Sequence, residues 1–136
     1  MNPVRAALWS KLSGDATLIA LLSGPGAIHH RIIPQGGALP AVVLSRLAGT
    51  PEWMFDSAHI QSDVWLIKGV SKGSSSSVAE DIAARVDALL TDAVFAVTGR
   101  VLLAVYREMD VDFEELTSGE LYHHVGANYR VQTQPA

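Results

Sequence analysis

A change of hydrophobic period near Gly99 leaves this chain few folds to choose from. Between Val78 and Leu90 the apolar residues Val78, Ile82, Val86, Leu89 and Leu90 recur at three- and four-residue spacing. Glu80, Asp81, Arg85 and Asp87 stay off that stripe, which predicts an amphipathic helix lying on a larger surface. Ser77 with Glu80 three residues on reads as a capping box, and Glu80 and Asp81 put negative charge where the helix dipole favours it. After Gly99 the period becomes two. Val101, Leu103, Val105, Met109, Val111 and Phe113 form one set, and the alternate set turns acidic at Glu108, Asp110, Asp112 and Glu114. Thr117, Ser118 and Gly119 supply turn chemistry, and alternation resumes with Leu121, His123, Val125, Ala127, Tyr129 and Val131 on one side. Two alternating strands joined by a short polar loop predict an antiparallel hairpin whose apolar face seats the helix.

The preceding residues supply further cover and edge for that unit. Asn2 before Pro3 marks a helix start, with Val4, Ala7, Leu8 and Leu12 on one face and Gly14 as its end. Asp15 caps a second short helix from Ala16 to Leu22, with Leu18, Leu21 and Leu22 apolar, and Gly24, Pro25 and Gly26 stop it. Ile28 to Ile33 predicts a short strand, and Pro34 to Pro40 a glycine-containing loop. Ala41 to Leu47 and His59 to Lys68 read as a strand pair, separated by a long loop from Gly49 to Ser57 that contains Trp53, Met54 and Phe55. Gly69 to Ser77 is a Gly/Ser-rich connector to the main helix. The expected class is therefore α+β: an antiparallel sheet of about four to five strands with helices on one face, in one domain spanning residues 1 to 136.

Charge is unevenly divided. Residues 1 to 74 carry six basic and four acidic groups, and residues 75 to 136 four basic and ten acidic ones, so the halves are +2 and −6. That argues against nucleic-acid binding by the second half, because phosphate contacts need clustered Lys or Arg. No apolar run approaches the roughly 18 residues of a membrane span, and no basic-then-apolar leader opens the chain, so the protein is expected to stay where it is made. Without cysteine there is no disulfide framework, thiolate zinc site or cysteine nucleophile.

Chemical motifs are scarce. The His29-His30 and His123-His124 pairs invite a metal reading, but adjacent strand residues point to opposite faces and cannot both reach one ion. Glu108, Asp110, Asp112 and Glu114 fall on one face of a regular strand with successive members about 7 Å apart, a spacing open to a hard cation or to acid and base work. No nucleophile, base and orienting group assemble around them, and a solvated or partner-facing strand gives the same alternation. Gly24-Pro25-Gly26 and Gly36-Gly37 match neither a P-loop nor a dinucleotide fingerprint. No catalytic residue, cofactor or metal is therefore assigned. Trp53, Met54 and Phe55 are large apolar groups in a loop, either an interface or a small cluster packed beneath that loop.

In this order of elements the chain resembles the tail-completion or tail-terminator proteins of long-tailed phages and phage-like particles, including gene transfer agents, over nearly its full length. The resemblance rests on Val4 to Leu12 with Asp15 to Leu22, on Ile32 to Gly36 with Leu39 to Val43, and on Tyr122 to Val131. It implies a small α+β subunit that forms a ring, usually a hexamer, at the head-proximal end of the tail tube. Such a ring ends polymerisation of the major tail tube protein and offers a joining surface to the head-tail connector. It also implies a virion location after assembly in the host bacterial cytoplasm, no enzyme activity, and no membrane partner. Under this reading Trp53, Met54 and Phe55 are interface residues, and Glu108, Asp110, Asp112 and Glu114 face a channel through which DNA passes without specific binding. Two readings from other classes compete: a metal-assisted hydrolase using the acidic strand, and a small monomeric binding domain with a pocket between the Pro34 to Pro40 loop and the N-terminal helices.

Overall fold

The structure, a computed structural model, describes residues 2–55 and 59–136. Its elements run α1 (Pro3–Ser13), α2 (Ala16–Leu21), β1 (Ile28–His30), β2 (Ala41–Trp53), β3 (His59–Lys72), α3 (Ser77–Leu90), β4 (Arg100–Thr117) and β5 (Glu120–Pro135). The five strands form one sheet in the order β1-β2-β3-β5-β4. It is an α+β fold, as expected. All pairs are antiparallel except β1 with β2, so the sheet is mixed. β1 is half the expected length, because Arg31 turns the chain out of the strand at a φ of 72°.

The helices form where their caps and stripes direct. Asn2 Oδ1 accepts from the Val4 and Arg5 amides at 2.9 and 3.3 Å, and Val4, Ala7, Leu8 and Leu12 are buried. Asp15 accepts from the Leu18 amide at 2.8 Å and also takes both Nε and Nη2 of Arg85 at 2.8 Å, which ties the start of α2 to α3. At α3 the cap lies one residue earlier than expected: Ser76 is the N-cap, its hydroxyl donates to Glu80 at 3.0 Å, and Ser77 is already helical. The inward stripe is correspondingly Ala79, Ile82, Val86 and Leu90, while Val78 is exposed.

All three helices share one core with the sheet, in which Leu8, Leu12, Leu18, Ile82 and Leu90 meet Leu44, Trp65, Ile67, Ala127, Tyr129 and Val131. This face of the sheet is called the helix face below. α3 approaches so closely at Gly69 that a Cβ there would sit 2.7 Å from Ile82 Cγ2. Tyr129 reaches out of the core to donate its hydroxyl to Asp87 on α3 at 3.1 Å. Burial, then the Asp87 carboxylate, pushes this phenol well above the usual tyrosine value, so it remains a donor.

β2 and β3 are longer than the sequence pattern suggested, and this changes two assignments. β3 continues through Gly69 to Lys72, which shortens the connector. β2 continues through Gly49 to Trp53 and pairs as far as Trp53 with His59, so most of the expected loop is a hairpin stem. The remainder of that loop, Asp56 to Ser57, lies outside the described residues. β4 is an 18-residue edge strand in which only Val105 is buried.

Candidate functional site

Three surface features stand out from this scaffold: the tip of the β2-β3 hairpin, the outer strand β4, and a cleft on the face of the sheet opposite the helices. The hairpin tip carries Trp53, Met54 and Phe55 at 68%, 52% and 113% of full exposure. A cluster packed beneath its own loop would hide these groups, and among the described residues they stay exposed. Trp53 instead packs its indole on the His59 ring across the strand pair, with centroids 4.6 Å apart. Because the stem is paired up to these two residues, Trp53 sits at the end of a strand ladder, with Met54 and Phe55 directly beyond it.

On β4 the expectation of one continuous acidic face is corrected. The register shifts between Leu102 and Ala104 and again between Arg107 and Met109, which marks Leu103 and Glu108 as extra residues. The second bulge moves every later side chain to the other face relative to strict alternation. Asp110, Asp112 and Glu114 lie opposite Ala127, Val125 and His123, on the helix face beyond the cover of α3. Glu108 points to the opposite face, where it accepts from Arg130 Nε and Nη2 at 2.6 and 3.0 Å while Arg130 Nη1 reaches Ser62. The apolar set divides at both bulges, with Val101 opposite Gln134 on the open face and Leu103 itself an extra residue. Val105 is buried on the helix face, whereas Met109, Val111 and Phe113 lie on the open face opposite Asn128, Gly126 and His124.

The acidic residues left on the helix face are only partly compensated. Arg107 lies 3.5 Å from Asp110 and 3.6 Å from Asp87, and Glu114 lies 3.5 Å from His123 Nδ1. His123 is buried, with Nε2 on the Gly73 carbonyl at 2.8 Å, and His124 lies on the other face. Among the described residues no three His, Asp or Glu side chains gather as a metal site.

The cleft was not anticipated in its actual position. It lies between the 31–40 loop and the open face of the sheet, encloses about 1020 Å³ and opens to solvent. α1 and α2 do not line it, so a pocket between that loop and the N-terminal helices is not what the fold builds. Ile32, Ile33, Pro34 and Leu39 form one wall, and Val43, Val70, Lys68, Tyr122 and His124 the floor. Phe113 stacks on His124 at 4.5 Å and carries Lys68 Nζ 5.1 Å above its ring. Burial holds Lys68 below the usual lysine value, opposed by Glu115. Burial likewise holds His124 below the usual histidine value, against the hydrogen bond of its Nε2 to Glu115 at 3.0 Å. The sequence signal was present in Ile32, Ile33 and Leu39, apolar residues inside a glycine- and proline-containing loop, but alternation alone does not say which face of the sheet such a loop covers.

The profile of the tail completion protein gp17 family matches residues 6–133. The chain belongs to that family. It is thus a structural protein of phage or phage-like tails, and the family is not a class of enzymes. The matched span takes in all the elements that build the hairpin tip, the outer strand and the cleft. The fold of this tail-completion protein is also that of a chain in a solved structure described as the virion of a native gene transfer agent particle. The two superpose with a TM-score of 0.74 at 17% identity, over 96% of this chain and 94% of the other. No curated protein matches the sequence. No helix among the described residues is long and apolar enough to cross a membrane.

Proposed function

We propose that this tail-completion protein acts as a homo-hexameric ring at the head-proximal end of the tail tube, where it ends polymerisation of the tube protein and presents the surface joined by the head-tail connector. The exposure of Trp53, Met54 and Phe55 on a paired hairpin carries this reading. Burying such groups contributes about 1.5–3 kcal/mol each, so an isolated subunit forgoes a large gain that a subunit contact recovers. Asp110, Asp112 and Glu114, outside the cover of α3 and with one arginine neighbour among them, supply a negative surface suited to a conduit that DNA traverses without adhering. Glu108 leaves that set, since it is held by Arg130 on the opposite face.

The competing hydrolase reading has less to stand on: the bulge takes Glu108 out of the acidic row, and among the described residues the remaining Asp110, Asp112 and Glu114 do not gather with other ligands as a metal site. Native mass spectrometry of the purified chain, alone and with tail tube protein, tests the proposal. A discrete six-fold species in either sample is the expected outcome, and a monomer under both conditions contradicts it.

A further inference from the structure

The hairpin tip and the cleft are complementary in kind. The tip presents Trp53, Met54 and Phe55, with the carboxylate of Glu52 just before them. The cleft offers apolar walls from Ile32, Ile33, Pro34 and Leu39 and, beside the one carboxylate of Glu115, three cationic side chains, Arg31, Lys68 and Lys72, of which Lys72 lies 3.6 Å from Glu120. Its volume of about 1020 Å³ is at the upper end of the roughly 300–1,000 Å³ that ligand-sized sites enclose. Large aromatic groups are the side chains that fill such a space with the greatest buried area.

One copy cannot satisfy both features. Trp53 pairs with His59 at the start of β3, and Lys68 on the cleft floor lies nine residues further along the same strand. At about 3.3 Å per residue this separates tip from cleft by about 30 Å along a paired, stiff strand. We infer that the tip of the β2-β3 hairpin docks in the cleft of a second copy of this chain. Two different surfaces then meet in every contact. Such a head-to-tail arrangement repeats around a closed ring when its rotation closes, and as an open filament when it does not. The inference rests on the ring reading above and adds to it by naming the receiving surface.

Cysteine pairing tests it on a clean background, because the native chain has no cysteine. Met54→Cys and Ile32→Cys both replace exposed residues, at 52% and 74% of full exposure. The two singly substituted proteins are mixed, oxidised and separated without reductant, with native mass spectrometry run in parallel. The expected result is a covalent heterodimer of the two variants in the mixture, and in the doubly substituted chain a covalent ladder ending at the ring size. Native-size rings without the heterodimer overturn the docking inference while leaving the ring standing. Met54 to Met54 homodimers in place of heterodimers also overturn it, since they show a symmetric contact. Monomers throughout, with tail tube protein present as well as absent, overturn both the inference and the ring.

Discussion

The middle of the sheet and the ends of its strands use similar side chains to opposite effect. Under α3, Trp65, Ile67, Ala127, Tyr129 and Val131 are nearly inaccessible, and each is held between a helix and neighbouring strands. At the β2-β3 tip and along outer β4, Trp53, Phe55, Met109, Phe113 and Leu116 are exposed on or just beyond the strands of the same sheet. Burial therefore fixes the subunit at its centre, whereas the periphery carries apolar surface that its own fold leaves uncovered.

Four variants sharpen the contrast, in decreasing order of expected effect on the isolated subunit. Trp65→Ala empties the centre of the core and should cost about 3–5 kcal/mol, lowering Tm by on the order of 10–20 °C in a thermal melt. Tyr129→Phe keeps the ring but removes the donor to Asp87, for a loss of about 1–2 kcal/mol read from the denaturant midpoint. Arg85→Met removes the partner whose hydrogen bonds hold the Asp15 carboxyl below its ordinary value of 3.8. A depressed carboxyl stabilises the folded state above its unfolded value and loses that contribution as pH falls through its folded value. The native chain should therefore lose stability below about pH 3.8 more steeply than the variant, in melts taken across that range. Asp110→Lys with Asp112→Lys changes only exposed groups and should shift stability by no more than about 0.5 kcal/mol. It should leave assembly intact but impair DNA passage, and equal titres or transfer frequencies for reversed and native particles would remove the conduit assignment.

Much of the central region was legible from residue spacing, and the periphery was not, for identifiable reasons. The α1 stripe Val4, Ala7, Leu8 and Leu12 and the inward β5 set His123, Ala127, Tyr129 and Val131 follow directly from periods of 3.6 and 2, because burial on one side enforces strict spacing. On β4 no such enforcement operates beyond Val105, and the extra residue at Glu108 turned an apparent single acidic face into two. Bulges insert one residue without any turn signal, so a row of alternating charges gives no warning of them. Gly49 and Pro51 are poor strand residues and point to a loop, yet the β2 stem runs beyond the short β1 and is paired only with β3, and a strand with one free side tolerates both. In α3 the choice between Ser76 and Ser77 as cap moved the stripe by one residue at its start, exposing Val78 and burying Ala79. The cleft depends on which face the 31–40 loop covers, a tertiary fact with no local pattern behind it.

The division between a folding centre and an assembling periphery is tested most directly by combining Trp53→Ala with Phe55→Ala and measuring two things on the same protein: its melting temperature as an isolated subunit, and the length of the tail tubes assembled in its presence. Both side chains are exposed, so the account predicts a melt within a few degrees of native, together with overlong tubes or heads and tails that fail to join. A melt lowered by many degrees, with tubes still capped at native length whenever the protein is folded, would place the tip in the folding core and contradict the account.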